Sequence, residues 1–431
     1  MAGFELPSLV ISDGSGKVFS HPHLKMAGRS GDSIALPDRA ELVSLPRGSQ
    51  LFTLPGRSPV GWDEENQRFT PANRVKSNGG EVDCTAVAAF LPPGYVRTWL
   101  PATRRRPKGP VLPLWAYSSV GWRAGRFWVT GLLVDPNPHW NPKFFQDDRD
   151  LQKRVRVLLQ ENTRNRLFRQ LSRCALEYHC FAAKNVFYRR WECPLPTSPV
   201  CNADCLGCIS LQPSECCPAS QERIGFVPTL EEVVGVALPH LVRARDAIVS
   251  FGQGCEGEPI LQWRLLERSI RRLRERTDRG TINLNTNGSL PEKLTRLCKA
   301  GLDSVRVTLN SSRPRLFDRY HRPRGFSMRE AVASLIRAKE KGIYTSVNLL
   351  VFPGVTDRGP EVDALMKLIR LTHVDLIQMR NLNIDPDLYL QAMGKGKGIG
   401  IAKMMRLLKE EFPTLQFGYF NRTKERFHAH G

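Results

Sequence analysis

The sequence lacks any apolar run long enough to cross a membrane. None of its 431 residues lie in a stretch approaching the roughly 20 apolar residues that a spanning helix requires. The first residues, MAGFELPSLVISDGSG, also lack the basic start and apolar core of a secretory signal. We therefore exclude a helical membrane protein and a membrane partner, and we expect the protein to be cytoplasmic.

Hydrophobic residues are not scarce, and charge is moderate. Apolar residues make up 41% of the chain and charged residues 24%, which is the balance of a soluble globular protein and excludes a wholly disordered one. The length predicts two or three domains. Eleven cysteines are too few for a disulfide scaffold, and most fall between Cys174 and Cys255. Clustered thiols in a reducing compartment indicate metal or redox chemistry.

Acidic residues are outnumbered, which gives a net charge of +21. Residues 1–150 hold 18 basic and 14 acidic side chains, whereas residues 151–431 hold 45 and 28. Such a field attracts nucleic acids or other anions. The alternative, that these charges are solvated helix faces, stays open.

Four regions follow from the patterning. Residues 1–145 contain 16 of the 31 prolines and 15 of the 34 glycines, and predict a β-rich N-terminal region of unknown role. Its strand-like runs are Leu9–Ser12, Glu41–Leu45, Leu51–Thr53, Ala86–Leu91, Leu112–Tyr117 and Phe127–Leu133. Residues 146–192 predict a basic helical connector, residues 193–381 a core of alternating strands and helices, and residues 382–431 a short C-terminal α/β extension.

The strands of residues 193–381 each have one polar face. Asn283 and Asn285 alternate with apolar residues, and so do Arg306 and Thr308. Alternation of strand and helix predicts parallel strands with crossover helices. The apolar faces need the helices, so we expect the polar faces to line a lumen holding water or ligand, with ligands at the carboxyl ends of the strands. The fold class is thus α/β, an incomplete barrel; a surface-exposed sheet face is the alternative.

One motif carries the chemistry. Cys201, Cys205 and Cys208 form a C-x3-C-x2-C run where the first core strand would end. A [4Fe–4S] cluster usually takes four cysteines, so three leave one iron open for another ligand. A zinc site with Cys193, Cys216 or Cys217 as the fourth ligand is the alternative.

This run resembles the signature of the radical SAM superfamily. The resemblance implies a partial (β/α)6 barrel, a [4Fe–4S] cluster held by the three cysteines, and S-adenosylmethionine (SAM) bound at the open iron. It also implies that reduction cleaves SAM to a 5′-deoxyadenosyl radical, which abstracts hydrogen from a substrate. An external electron donor of the flavodoxin or ferredoxin type is implied as a partner.

Further motifs extend the resemblance over residues 193–381. The segment Gly254–Pro259, GCEGEP, is similar to the family's GGEP segment, and LNTNG at residues 284–288 is similar to its TNG turn. Glu256 replaces a glycine, and Gly207 replaces an aromatic residue, of the family pattern. The SAM-binding residues so implied are Gly257, Glu258, Asn285, Thr308, Asn310, Asn348, Gln378 and Arg380.

The other cysteines and the substrate are less defined. Cys174, Cys180, Cys193, Cys216 and Cys217 are candidates for an auxiliary cluster, although no second tight spacing supports one. Catalytic residues are not assigned. His321 and Asp385 are candidates for substrate contact at the barrel mouth.

Three functions follow. The first is a radical SAM enzyme acting on a peptide, a protein or an RNA. The second is an RNA-modifying radical methylase, which the absence of any cysteine after Cys298 opposes. The third is a non-enzymatic iron–sulfur or zinc protein that binds nucleic acid.

Overall fold

The computed structural model describes residues 5–77, 80–212 and 217–428. The chain divides into two compact units. Unit 1 comprises residues 1–136, 350–364 and 379–413, and unit 2 comprises residues 137–349, 365–378 and 414–431. The residues predicted as a C-terminal extension are thus shared between the two units. The bounds of the four predicted regions remain predictions.

Unit 1 is β-rich. Its strands form an eleven-stranded, a three-stranded and a two-stranded sheet, with antiparallel neighbours throughout. The strands are β1 (Ser8–Ser12), β2 (Val18–Lys25), β3 (Gly28–Ser30), β4 (Ser33–Ala35), β5 (Leu42–Ser44), β6 (Gln50–Leu54), β7 (Arg57–Asp63), β8 (Arg68–Pro71), β9 (Arg74–Ser77), β10 (Gly80–Asp83), β11 (Thr85–Phe90), β12 (Tyr95–Arg97), β13 (Leu100–Pro101), β14 (Thr103–Arg105), β15 (Val120–Arg123) and β16 (Arg126–Leu133).

The core of unit 1 follows from side-chain alternation. Leu9 and Ile11 of β1 enter one apolar cluster, whereas Val10 enters another. Successive side chains of a strand point to opposite faces, so β1 is covered on both. Five of the six predicted strands are confirmed within a few residues.

The predicted strand Leu112–Tyr117 is wrong. This segment forms no strand, because Pro113 has no N–H to donate to a ladder and its carbonyl accepts the Trp115 N–H at 2.9 Å in a turn. The Tyr117 hydroxyl donates to the same carbonyl at 2.8 Å.

Three helices lie near the start of unit 2. They are α1 (Leu151–Glu161), α2 (Arg166–Leu176) and α3 (Phe181–Tyr188). The Asn165 side chain accepts the Leu167 N–H at 3.0 Å and so caps the start of α2. Apolar residues at helical spacing turn one face inward, where Leu167 and Leu171 are fully buried.

A seven-stranded sheet runs in sequence order through the rest of the chain. Its strands are β17 (Arg190–Pro194), β18 (Arg245–Phe251), β19 (Thr281–Thr286), β20 (Ser304–Leu309), β21 (Tyr344–Val351), β22 (Leu376–Asn381) and β23 (Gln416–Gly418). The helices after α3 are α4 (Leu230–Arg243), α5 (Trp263–Arg274), α6 (Pro291–Ala300), α7 (Pro314–His321), α8 (Met328–Glu340), α9 (Gly359–Thr372), α10 (Pro386–Met393) and α11 (Ile401–Glu411).

This sheet fits the expected alternation of parallel strands and helices. Strands β17 to β21 pair in parallel, and β23 pairs in parallel with β22. The mixed α/β class is confirmed. The six-stranded arrangement is not, because β23 adds a seventh strand from the predicted C-terminal extension.

The polar faces of this sheet are buried, so a solvent-exposed sheet face is wrong. The Glu192 carboxylate accepts hydrogen bonds at 2.7 Å from Ser250, Gln253 and Asn421. Asn421 in turn accepts from Gln378 at 2.9 Å, and Gln378 accepts from Arg306 at 2.8 Å. These side chains bind one another, which satisfies polar groups that burial would otherwise penalise.

No helix of the described residues combines the length and apolar character needed to cross a bilayer.

Candidate active site

The loop after β17 brings the three predicted cysteines together. Cys201, Cys205 and Cys208 are each partly buried in it. The loop is fixed against the end of α7, because the Asp204 and Leu206 N–H groups donate to the carbonyls of His321 and Tyr320, both at 3.0 Å. The helix after the fourth core strand therefore positions the cysteine loop.

Two nitrogen-bearing side chains lie against the thiols. His321 Nδ1 is 3.3 Å from Cys205 Sγ, and Arg223 Nη2 is 3.7 Å from Cys208 Sγ. Burial lowers the pKa of His321 to about 3, so its imidazole is neutral. Sequence reasoning placed His321 at the mouth and missed Arg223; the structure instead places both beside cysteines.

Burial makes Cys201 and Cys205 hard to ionise on their own. It raises the pKa of Cys201 to about 11, and the Glu258 carboxylate adds to this effect. Burial also raises the pKa of Cys205 well above its usual value, followed by the charges of Cys208 and Cys201. Three adjacent thiolates repel one another, and a bound cation that replaces their protons removes this cost.

Within residues 5–77, 80–212 and 217–428, no three His, Cys, Asp or Glu side chains are arranged to hold one metal ion. A cubane cluster does not require such convergence, since each thiolate binds a different iron.

Gly257 sits where the chain after β18 crosses the chain that leads into the cysteine loop. Its N–H donates to the Ser198 carbonyl at 2.7 Å, and the Glu258 N–H donates to the Val200 carbonyl at 2.8 Å. A Cβ at position 257 would lie 2.1 Å from the Val200 oxygen. Only glycine permits this approach.

Glu258 is buried with most of its acceptor capacity in use. One oxygen accepts from the Thr286 hydroxyl at 2.6 Å and the Ile260 N–H at 3.1 Å. The other accepts from the Asn287 N–H at 2.7 Å. Burial raises its pKa to about 7 against these hydrogen bonds. A carboxylate has about four acceptor sites, so one remains.

Glu256, the departure from the family pattern, ties two chain segments together. Its Oε2 accepts from the N–H groups of Thr197 at 2.7 Å and Ser198 at 3.0 Å, and from the Thr197 hydroxyl at 3.1 Å. Its Oε1 accepts from the Gly252 N–H at 2.5 Å. The Glu256 side chain therefore connects residues 197–198 with the turn that precedes Gly257.

Three of the remaining predicted residues offer polar groups in the interior of unit 2. Asn285 is 3% exposed and its Nδ2 has no partner. Asn348 donates to the Thr308 hydroxyl at 3.1 Å, and its buried Oδ1 has no partner. Unpartnered buried polar atoms are costly unless a ligand satisfies them.

The structure gives the other predicted residues different surroundings. Asn310 donates to the Leu316 carbonyl at 3.2 Å and braces the start of α7. The amide oxygen of Gln378 accepts from Arg306, and its amide nitrogen donates to Asn421. Arg380 is half-buried near the end of β22, in unit 1. Their roles toward SAM remain predictions.

Asp385 does not lie at an open mouth, because it is 1% exposed. Within unit 1 its Oδ2 accepts from Arg57 at 2.6 Å and from the Leu112 N–H at 2.7 Å. It is a buried structural carboxylate.

Among the candidate auxiliary cysteines that the structure describes, no three are arranged to hold one metal ion. Cys193 is fully buried in β17, where burial raises its pKa. Cys174 is hydrogen-bonded to Cys255, which lowers its pKa, and Cys180 has its pKa raised by burial to about 11. Cys217 is buried, and Cys216 lies outside the described residues.

A basic groove of about 420 Å³ lies beside α1 and α3. Exposed Val157 and buried Phe187 give it apolar walls. Its lining residues are Asp150, Lys153, Arg154, Val157, Leu158, Phe187 and Arg189.

Comparison with known proteins finds a family match in the region of the site. Residues 195–369 match the model of the Radical SAM superfamily. This match covers 175 of the 431 residues. The enzymes of this superfamily use a [4Fe–4S] cluster and SAM, and the matched residues include the three cysteines, Gly257 and Glu258.

Two curated relatives cover only part of the chain. The FeMo cofactor biosynthesis protein NifB of Klebsiella pneumoniae is 26% identical over 179 residues, which are 38% of this chain and 38% of NifB. A probable GTP 3′,8-cyclase of Methanosarcina acetivorans is 32% identical over 113 residues, 25% of this chain and 33% of the cyclase. The chain thus spans 38% of the length of NifB and 33% of the length of the cyclase.

Solved radical SAM structures show weak overall likeness. The FeFe-hydrogenase maturase HydG from Carboxydothermus hydrogenoformans has a TM-score of 0.37 at 16% identity, over 63% of this chain and 66% of HydG. Streptococcus suis SuiB bound to SAM has a TM-score of 0.35 at 16% identity, over 64% of this chain and 61% of SuiB.

Proposed function

We propose that this radical SAM protein binds a [4Fe–4S] cluster through Cys201, Cys205 and Cys208 and cleaves SAM reductively to abstract hydrogen from a substrate. The observation that carries the proposal is one juxtaposition. Three thiols share a single loop, and the segment that leads into this loop is hydrogen-bonded, through the Ser198 and Val200 carbonyls, to the N–H groups of Gly257 and Glu258. A structural cluster or a zinc site requires no such buried carboxylate beside it.

When bound, the cluster supplies the electron that cleaves SAM to methionine and a 5′-deoxyadenosyl radical. The chain's own residues hold and shield the cofactor. Glu258 has one acceptor site left for the cationic methionyl amine, and Gly257 lets the backbone approach closely. Asn285 Nδ2 and Asn348 Oδ1 are the buried polar atoms that SAM would satisfy.

A peptide, a protein or an RNA is the proposed substrate class. The basic groove beside α1 and α3 supports an anionic partner, either RNA or an acidic electron donor of the flavodoxin or ferredoxin type. Methylation of RNA by a two-step thiol route is disfavoured, because the sequence has no cysteine after Cys298.

The first experiment is anaerobic. The protein is reconstituted with iron and sulfide, reduced with dithionite, and assayed for 5′-deoxyadenosine from SAM by mass spectrometry. We expect 5′-deoxyadenosine from the wild type and from Cys298→Ala, a buried thiol in α6, but none from Cys205→Ala. Equal production by Cys205→Ala would contradict the proposal.

A full cluster complement without SAM cleavage is resolved by EPR. A reduced-cluster signal that SAM leaves unchanged, at concentrations saturating for SAM enzymes, would support a structural cluster instead. Where SAM perturbs the signal, deuterium transfer into 5′-deoxyadenosine from deuterated peptides or RNA then identifies the substrate.

A further inference from the structure

We propose that His321 donates a hydrogen bond to the sulfur of Cys205 and thereby raises the reduction potential of the cluster. The inference rests on the proposed function, since it assumes that Cys205 is a cluster ligand. It concerns a residue outside the cysteine motif and outside the SAM-binding set. His321 is a positioning and tuning residue, not a catalytic one.

The contact is short and its geometry is fixed. His321 Nδ1 lies 3.3 Å from Cys205 Sγ, and the residue is 2% exposed. Its ring packs on Phe317 at 4.3 Å between centroids and meets the edge of Tyr320 at 4.9 Å. Its carbonyl also accepts the Asp204 N–H at 3.0 Å. The backbone and the ring of His321 are therefore both held against the cysteine loop.

The chemistry of the sulfur selects the direction of the bond. A thiolate bound to iron has no proton, so it can only accept. The neutral imidazole must then carry its proton on Nδ1 for the contact to be favourable. No partner faces the buried Nε2, so no acceptor in the described structure competes to place the proton there.

The effect on the cluster follows from charge. Reduction adds negative charge that is spread over the irons and sulfurs, and hydrogen bonds to the sulfurs are among the factors that set the potential. A donor on Cys205 Sγ favours the reduced state more than the oxidised one. Loss of the donor should therefore make the cluster harder to reduce.

Two substitutions separate the hydrogen bond from the ring. His321→Phe keeps an aromatic ring between Phe317 and Tyr320 but removes the donor. His321→Asn places an amide N–H close to the position of Nδ1 and should restore the bond. His240→Phe is the matched control, because His240 is also buried but its Nε2 meets the Trp191 carbonyl at 2.7 Å and not a cysteine.

The measurement is a potentiometric titration of the full-length reconstituted protein without SAM, followed by EPR. We expect His321→Phe to decrease the equilibrium constant for one-electron reduction of the cluster about tenfold, which lowers the reduction potential by about 59 mV. His321→Asn should recover most of this shift, and His240→Phe should leave the potential unchanged. An unchanged reduction potential in His321→Phe with a full cluster would overturn this inference and would leave the proposed function standing.

A measurement on the wild type keeps the inference testable where His321→Phe fails to fold. Pulsed EPR of the reduced cluster should show coupling to an exchangeable proton and to ¹⁵N-labelled histidine. Absence of both couplings would overturn the inference. A wild-type protein that assembles no [4Fe–4S] cluster at all would instead overturn the proposed function, which distinguishes the two failures.

Discussion

At the scale of single residues, the candidate site depends first on a missing side chain. Gly257 allows two backbone segments to touch, and a Cβ there would lie 2.1 Å from the Val200 oxygen. We predict that Gly257→Ala destabilises the fold by about 1–3 kcal/mol and lowers iron incorporation, because the cysteine loop must move. Thermal unfolding and iron content measure both.

Gly225→Ala is the control, since a Cβ at that glycine meets nothing within 4 Å. Equal losses in both variants would show that the close approach at Gly257 is unimportant.

Glu256 supports a second residue-scale prediction. Each of its oxygens accepts at least one backbone N–H, so the amide nitrogen of a glutamine must face an N–H donor in either orientation. Glu256→Gln should therefore destabilise the protein by about 1–3 kcal/mol, measured by urea denaturation. Glu231 is exposed, so Glu231→Gln should have no comparable effect. Similar losses of unfolding free energy in the two variants would contradict a stabilising role for the Glu256 hydrogen bonds.

Sequence patterns find the residues whose spacing is local and miss those brought together by folding. The cysteine triplet and Glu258 lie in short recognisable segments. His321 and Arg223 lie 116 and 15 residues from the cysteines that they contact, so no spacing signals them. Gln378 has the alternation expected of a polar strand position. Only the structure shows that its amide oxygen accepts from Arg306 and that its amide nitrogen donates to Asn421.

At the scale of elements, an ion pair joins α2 to α4. Glu232 accepts from Arg166 at 2.7 Å and 2.8 Å and closes the capping box at the start of α4 with Thr229. The hydrogen bond from Arg166 is the largest influence that lowers the pKa of Glu232, to about 2. Because the folded pKa is depressed, the stabilisation is present above the ordinary value near 4.5 and is lost as pH falls toward 2.

We predict that Glu232→Gln is less stable than the wild type at neutral pH and that this difference shrinks below about pH 4.5. Hydrogen exchange of α2 and α4 amides at several pH values measures it. The exposed pair of Arg173 and Glu177 offers a control in Glu177→Gln, for which we expect a small effect. A difference between Glu232→Gln and the wild type that is constant with pH would contradict the ion-pair explanation.

Helices were predictable where the helical periodicity agrees with the capping residues at their ends. Helix α8 begins after Ser327 in a capping box with Glu330, and α6 ends at Gly301 with φ near +110°, both visible in sequence. The segment Leu112–Tyr117 failed because its apolar composition hides a proline turn. Strand β23 was missed because three residues are too few to show alternation.

At the scale of the whole molecule, the polar interior of unit 2 was predicted in kind but not in detail. Alternating asparagines announced a polar face, and a lumen was the expected outcome. The structure shows in addition that the first strand of the sheet is linked to the segment after the last strand, because Asn421 is hydrogen-bonded to both Glu192 and Gln378. The residue that makes this link lies beyond the matched family region, so no core motif contains it.

This link supports the last prediction. Asn421→Asp preserves shape but places a second carboxylate where an N–H now donates to Glu192 at 2.7 Å. Two buried like charges cannot both ionise at low cost, so we expect a loss of about 3–5 kcal/mol near neutral pH. One carboxyl then binds a proton with a raised pKa, and the loss should shrink as pH falls through that pKa. Asn421→Ser, which is uncharged, should lose less and show no such recovery. Unfolding midpoints of the three proteins between pH 5 and pH 8 test this, and parallel pH profiles for Asn421→Asp and Asn421→Ser would show that the carboxylates do not interact.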